Sequence, residues 1–202
     1  MPLKFALNQS IANVTALPSA VPTDNLILIS TQTASNSATI SFTTGLDSTY
    51  DEYIFKFIDI HPRTDNMYFQ FNMSTDGGSN YNVTKTTTYF RSQHNEAGTD
   101  GLLEYRTDLD LAQSTAFQHL SSNADFSSDT GMSGTFTIFN PSSTTYVKHF
   151  IANNNSTTGD PGSKNNYIAG YGNTTSAVNA IRFQMSSGNF DGTIYLYAID
   201  NS

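Results

Sequence analysis

Histidine side chains are the first candidates for acid–base or metal chemistry in this chain. The four histidines are His61, His94, His119 and His149. None has a second histidine two residues away on a strand or four away on a helix, the spacings at which two imidazoles reach one metal ion. His94 and Glu96 stand two apart in a polar segment, where we interpret them as surface residues. The histidines therefore predict no metal site.

Carboxylates are the second candidates, because a glycosidase needs two of them across a sugar-binding cleft. The chain has 17 acidic residues, but Asp108 and Asp110 alternate with leucines, and Asp51 and Glu52 open a strand. These positions are typical of solvated strand ends. The sequence also lacks cysteine, a GxSxG elbow, a GxxxxGK[ST] loop and a GxGxxG loop. We therefore predict that the protein is not an enzyme and uses no cofactor.

Calcium is harder to exclude, because it accepts carboxylate and carbonyl oxygens from irregular loops. Asp47, Asp51, Asp125 and Asp129 lie in oxygen-rich segments, although no twelve-residue EF-hand pattern is present. The sequence predicts no metal site, and a calcium ion held by these loops stays open as an alternative.

Asparagine and tyrosine side chains are concentrated between residues 153 and 175. Sugar-binding sites combine aromatic rings, which stack on the sugar, with amides that hydrogen-bond its hydroxyls. We predict weak glycan contact in a loop over 153–166 and the glycine-interrupted segment after it; the alternative is a polar loop beside ordinary tyrosines. The candidate residues are Asn153, Asn154, Asn155, Asn165, Asn166, Tyr167, Tyr171 and Asn173.

Composition narrows the class of partner. The formal net charge is −8, which disfavours nucleic acid and anionic lipid because both need a basic surface. No apolar run approaches the 18 or so residues of a membrane helix, so no membrane insertion is predicted. Ser, Thr and Asn make up 71 of 202 residues, and 25 residues are Phe or Tyr. This composition is typical of a β protein with an aromatic core and an uncharged polar surface.

Two-residue alternation between apolar and polar side chains predicts strands along most of the chain. Residues 52–60 form the strongest strand, expected at the centre of a sheet. The turn chemistry of 61–66 and the alternation of 67–73 predict that this strand continues into a hairpin. Residues 26–29 predict a buried strand, and 108–120 predict one short helix with Asp108 as N-cap. Further strands are predicted at 38–43, 82–91, 133–140, 146–152, 180–187 and 193–199.

These elements predict an all-β fold. Eight to ten strands with at most one short helix indicate an antiparallel β-sandwich, most consistent with a jelly roll. The sandwich is expected over residues 26–202. Residues 1–25 are expected to form an extended N-terminal arm or a first strand, because Pro18 and Pro22 disfavour helix there. An arm would attach the protein to a larger assembly.

Three blocks carry a resemblance to a known group of proteins. They are ISTQTASNSATISFTTGLDSTYDEYIFKFIDIHPRTDN, NPSSTTYVKHFIA and AIRFQMSSGNFDGTIYLYAI. They resemble virion proteins of tailed bacteriophages, which are common among viruses of aquatic bacteria. The similarity spans roughly residues 26–199. It implies a structural component of the particle, either a tail-fibre or tail-tip domain or a decoration protein on the head, and it implies no catalytic residues.

Together, residues and resemblance predict a non-enzymatic virion structural protein of a tail fibre or tail tip. We expect it to be assembled in the host cytoplasm, where a cysteine-free chain is suited to reducing conditions. The expected partners are other virion proteins, two further copies in a homotrimer held by apolar residues of 1–29, and host-surface glycan. The alternatives are a capsid decoration (cement) protein and a carbohydrate-binding or polysaccharide-degrading module.

Overall fold

The computed structural model describes residues 26–122, 127–157 and 162–200. The expected arm at 1–25 and the calcium candidate Asp125 lie outside these residues. Within them all regular structure is β. The twelve strands are β1 (Leu26–Ser37), β2 (Thr39–Phe42), β3 (Glu52–Pro62), β4 (Phe69–Ser74), β5 (Lys85–Asn95), β6 (Gly101–Tyr105), β7 (Gln118–His119), β8 (Met132–Phe139), β9 (Lys148–Thr157), β10 (Gly162–Gly172), β11 (Ala180–Met185) and β12 (Phe190–Ile199).

The strands form two antiparallel sheets. The larger sheet has eight strands in the order β1-β12-β3-β8-β9-β10-β5-β6, and the smaller has four in the order β2-β11-β4-β7. Inward-facing side chains of both sheets form one buried core. The predicted all-β sandwich is therefore confirmed. The central position predicted for residues 52–60 is also confirmed, because β3 lies between β12 and β8.

An aromatic core fills the space between the small sheet and the neighbouring strands of the large sheet. Phe183 of β11 is completely buried at its centre. Its ring lies 5.2 Å from the rings of both Phe55 and Phe57 on β3, measured between centroids. Edge-to-face contacts of this kind add to the free energy that each ring gains by leaving water.

The interior becomes polar beneath β5, β9 and β10. Here the irregular segment 106–122 packs against their inner faces. Thr87 of β5 donates to Gln118 Oε1 at 2.6 Å, and Gln118 Nε2 donates to the carbonyl of Leu109 at 2.9 Å. A buried amide is tolerated when its donors and acceptors have partners of this kind.

The helix predicted over 108–120 is wrong. The backbone of this segment bonds to β5: the amide of Lys85 donates to the carbonyl of Ser114 at 2.8 Å, and the amide of Thr87 donates to the carbonyl of Leu111 at 2.9 Å. A helix would need these carbonyls for its own ladder. Asp108 caps no helix, and its carboxylate instead accepts two hydrogen bonds from Arg106.

The predicted hairpin between 52–60 and 67–73 is also wrong. β3 pairs with β12 and β8 in the large sheet, whereas β4 pairs with β11 and β7 in the small one. The connection crosses from one sheet to the other, and six residues suffice to span the ~10 Å between packed sheets. Pro, Asp and Asn occur in such a crossover for the same backbone reasons as in a tight turn.

Residues 26–29 belong to a strand, as predicted, but that strand is not buried. β1 pairs only with β12 among the strands of the large sheet and forms its edge. Leu26 and Leu28 point away from the core and are 40% and 52% exposed. An apolar run shows that a strand is present, but the position of the strand in the sheet decides how much of it is covered.

Candidate functional site

Strands β9, β10, β5 and β6 lie side by side at one end of the large sheet. Along these strands, less exposed side chains alternate with more exposed ones, so every second residue points outward. The outward residues of these four strands, all of which the structure describes, include no Asp, Glu, Lys or Arg. On a chain of net charge −8, this outer face is an uncharged surface.

The loop predicted over 153–166 is wrong: its described residues are parts of the antiparallel strands β9 and β10. The register places Asn155 opposite Asn165, Asn154 opposite Asn166, and Asn153 opposite Tyr167. Asparagine is depleted in strands because its side chain competes for backbone hydrogen bonds. Here the buried amides find partners inside the protein instead.

Asn154 and Asn166 face the interior and cannot contact a glycan. They are 1% and 0% exposed. Asn166 Nδ2 donates to Asn154 Oδ1 at 3.0 Å, and Asn154 Nδ2 donates to the carbonyl of Leu120 at 2.6 Å. The hydroxyl of Tyr89 donates to Asn166 Oδ1 at 2.8 Å. Hydrogen bonds of these two residues therefore connect segment 106–122 to the large sheet.

The other candidates lie on or near the outer face, and only some of them come together. Asn153, Asn155, Asn165 and Tyr167 are adjacent across β9 and β10, and the amide of Asn155 donates to Ser163 Oγ at 2.7 Å. Asn173 lies just beyond β10 and donates to Gln113 Oε1 at 2.8 Å.

A stacked aromatic pair dominates this part of the face. The rings of Phe90 on β5 and Tyr167 on β10 lie 4.8 Å apart with an angle of 8° between their planes. Both remain substantially exposed, at 41% and 37%. Asn165 Nδ2 donates to the Tyr167 hydroxyl at 2.8 Å and holds that ring in place. Asn153 lies beside the same ring, directly across the strand pair.

Phe90 and its neighbours on β6 were absent from the sequence-based candidates. Tyr105 pairs with Phe90 across β5 and β6, and Leu103 beside it is 74% exposed. The hydroxyl of Tyr105 donates to Asp110 Oδ2 at 2.6 Å, and this bond raises the pKa of Tyr105. The alternation of 82–91 predicted the strand that carries Phe90, but only the register brings Phe90 to Tyr167.

Ion pairs on the other side of the sheet hold the β5–β6 hairpin. Arg91 donates to Glu104 Oε1 across the hairpin. Arg106, which follows β6, donates to both carboxylate oxygens of Asp108, at 2.8 and 2.6 Å. These bonds lower the pKa of Asp108 to about 2. The charges absent from the outer face therefore lie behind it or at its margin.

A hollow of about 400 Å³ adjoins the aromatic pair. Ala169 follows Tyr167 on the outer face of β10, and Tyr171 comes after it, so a small side chain separates two rings. Ile151 lies directly opposite Ala169 on β9, and His149 and Phe139 also line the hollow. Its volume lies within the range of roughly 300–1,000 Å³ that is typical of small-molecule sites.

The described calcium candidates do not form one site. Asp47 accepts hydrogen bonds from the Thr49 amide and the Tyr53 hydroxyl, whereas Asp129 lines a separate hollow with Asp59 and His61. Across the described ranges, no group of three or more His, Asp or Glu is placed to hold a metal ion. In the same part of the chain, no helix combines the length and apolar character needed to cross a membrane.

Comparison of the chain with known protein families, with curated proteins and with solved structures finds no match. Its function has to be inferred from the residues and from the geometry of this outer face.

Proposed function

We propose that this chain is a non-enzymatic structural protein of a tailed-bacteriophage particle. It forms part of a tail fibre or tail tip and contacts host-surface glycan. One observation carries the glycan part: the exposed Phe90–Tyr167 pair, with Asn153 and Asn165 beside it, on a face without ionised side chains. The resemblance of three sequence blocks to tailed-phage virion proteins supports the particle part.

We infer further that the sandwich is a jelly roll with two added hairpins. Without β5–β6 and β9–β10, the remaining orders are β1-β12-β3-β8 and β2-β11-β4-β7. In chain order, the first remaining strand then pairs with the last, the second with the seventh, the third with the sixth and the fourth with the fifth. This nested pairing is that of two Greek keys wrapped into a jelly roll, a fold common in viral and lectin domains.

The added hairpins carry the whole candidate surface. Phe90 lies on β5, Tyr105 on β6, Asn153 on β9 and Tyr167 on β10. β5 and β10 pair over eleven residues, so the two hairpins form one continuous extension of the sheet. A binding site built on insertions supports a role in recognition, because function is added to a common fold through such segments.

The protein is expected to be a homotrimer, because virion fibres assemble by closed cyclic symmetry. An apolar patch lies at the edge of the large sheet opposite the hairpins and consists of Leu26, Leu28, Tyr195 and Tyr197. Light scattering coupled to size exclusion should give a mass of three chains. Leu28→Asp should reduce it to one chain, whereas Leu103→Asp at the far edge should leave it at three. A monomeric parent protein would contradict the trimer and favour a decoration protein.

The location in the particle can be tested directly. Antibodies against the purified protein, coupled to gold, should label the distal tail of virions that contain this chain in electron micrographs. Labelling distributed over the head would replace the fibre or tip assignment with that of a decoration protein. Absence of the protein from purified particles would overturn the virion role altogether.

Removing the tyrosine ring should abolish glycan contact. Tyr167→Ala removes one of the two stacked rings, so binding to an array of bacterial surface saccharides should weaken at least tenfold. Tyr146→Ala is the matched control, because Tyr146 is 71% exposed and lies outside the four strands of the candidate surface. Circular dichroism should be the same for both variants. Equal binding by Tyr167→Ala and the parent protein would remove the glycan part of the proposal.

A further inference from the structure

The aromatic pair and the hollow beside it are two parts of one surface. The register aligns two neighbouring rows of outward residues across β9, β10 and β5. One row is Asn153, Tyr167 and Phe90, and the next is Ile151, Ala169 and Thr88. Successive outward positions on a strand lie about 6.6 Å apart. A single sugar unit packed against the Tyr167 ring therefore has its edge over the hollow.

The depth of the hollow follows from small residues in β10. Ala169 provides a floor of one methyl group. A Cβ on the neighbouring Gly170 would come within 2.6 Å of the Thr86 carbonyl oxygen, so β10 and β5 approach closely here. The walls are the larger side chains of Ile151, Phe139 and Tyr171. The result is a small, largely apolar depression next to the stacked pair of aromatic rings.

Charge limits the ligand to a neutral one. The outward side chains of the four strands carry no ionised Asp, Glu, Lys or Arg, so neither a uronate nor a phosphate would find a counter-ion on these strands. The apolar depression also disfavours a bare hydroxyl, since a polar group buried without a partner loses its hydrogen bonds to water. A methyl group bonded to an amide fits this surface. The methyl group can enter the apolar depression, and the amide can hydrogen-bond the hydroxyls of Thr86 and Thr88, which also line the hollow.

We propose that this surface binds an N-acetylhexosamine unit. The apolar face of the sugar ring packs against the face of Tyr167 that Phe90 leaves uncovered, Asn153 and Asn165 bond its hydroxyls, and the acetyl methyl group enters the hollow over Ala169. The inference rests on the proposed glycan contact and adds its substrate class.

Two neutral tetrasaccharides separate this proposal from simple stacking. Calorimetry with the full chain should give a dissociation constant about tenfold lower for the N-acetylglucosamine tetramer than for cellotetraose, which lacks the acetamido groups. Ala169→Leu should occupy the floor of the hollow where the acetyl methyl group enters, abolish that preference and leave cellotetraose binding unchanged. Thr31→Leu, on exposed β1, is the matched control and should keep the preference.

Ile151→Thr provides a second variant in case Ala169→Leu disturbs folding. Ile151 is 54% exposed, so the change leaves the core intact while removing one wall of the hollow, and the preference should fall severalfold. Equal affinity of the parent protein for both tetrasaccharides would overturn the N-acetyl assignment while the proposed glycan contact stands. Binding of neither tetrasaccharide would also overturn it, and the saccharide array with Tyr167→Ala would then decide the glycan contact separately.

Discussion

Phe183→Ala is expected to lower the free energy of unfolding by about 3–5 kcal/mol, the usual loss when a fully buried phenylalanine is truncated. Phe183 is 0% exposed. Its ring lies parallel to that of Phe69, with 5.8 Å between centroids, and the other rings within 6.3 Å are those of Phe42, Phe55, Phe57 and Phe136. These rings come from both sheets, so the cavity would form where the sheets meet.

Urea denaturation followed by tyrosine fluorescence measures this loss, since the chain has 11 tyrosines and no tryptophan. A domain has only about 5–15 kcal/mol of stability in total, so the variant should unfold at a much lower urea concentration. Phe183→Leu keeps most of the volume and should cost less. Phe139→Ala, on the outer face and 36% exposed, should cost under about 1 kcal/mol. A loss below 1 kcal/mol for Phe183→Ala would contradict this description of the core.

Stability is expected to rise by about 2 kcal/mol between pH 7 and pH 9 because of Lys85. This lysine is completely buried. Its ammonium donates only to neutral groups, Asn72 Oδ1 at 2.6 Å and the Val83 carbonyl at 2.8 Å. Removal from water disfavours the charged form and lowers the pKa of Lys85 to about 7, from an ordinary value of 10.5.

The sign follows from proton binding. Between pH 7 and 10.5 the unfolded chain holds a proton on Lys85 that the folded chain has released, so raising the pH favours folding. Burial also lowers the pKa of Lys148, which acts in the same direction. Burial raises the pKa of Tyr89, which opposes folding only above about pH 10. Between pH 7 and 9 the change in stability therefore reports the two buried lysines, Lys85 and Lys148.

Lys85→Met should flatten this dependence. Asn72 Oδ1 keeps a hydrogen bond from the Met73 amide in the variant, so the site loses the charge without leaving that oxygen unpaired. Urea midpoints at pH 7, 8 and 9 measure the slope. Lys56→Met is the matched control, because Lys56 points outward over the Tyr197 ring and should leave the slope unchanged. A parent protein whose stability is constant from pH 7 to 9 would show that Lys85 stays protonated when buried.

The strands that the sequence predicted best are those with large apolar side chains at every second position. In 180–187, alternation places Ile181, Phe183 and Met185 on one face, and all three are buried on β11. In 67–73, Phe69 and Phe71 are likewise buried, but so are Gln70 and Asn72 of the opposite face, because both faces of β4 are covered. Alternation is a local property, because successive strand residues point to opposite faces wherever the strand lies. It therefore predicts which residues share one face of a strand without knowledge of the rest of the fold.

The wrong predictions concern segments whose structure depends on residues that are distant in the sequence. The segment 108–120 has a partly helical apolar spacing, but its backbone bonds to β5. The asparagine-rich residues 153–157 and 162–166 look like loop, but they are paired strand residues. Leu120 accepts from the buried amide of Asn154, and Tyr89 and Ser122 donate to that of Asn166. No local pattern reports these partners, which lie 34 to 77 residues away in the chain.

The sequence by itself determined the class of fold, which residues of the main strands share a face, and the combination of an aromatic core with an uncharged polar surface, because all three follow from residue type and a two-residue period. Only the tertiary structure decided which strands share a sheet and which aromatic residues meet. Phe90 and Tyr167 are 77 positions apart in the chain, and the β5–β10 register alone places them side by side. A binding surface of this kind is made by register, and register depends on the whole fold.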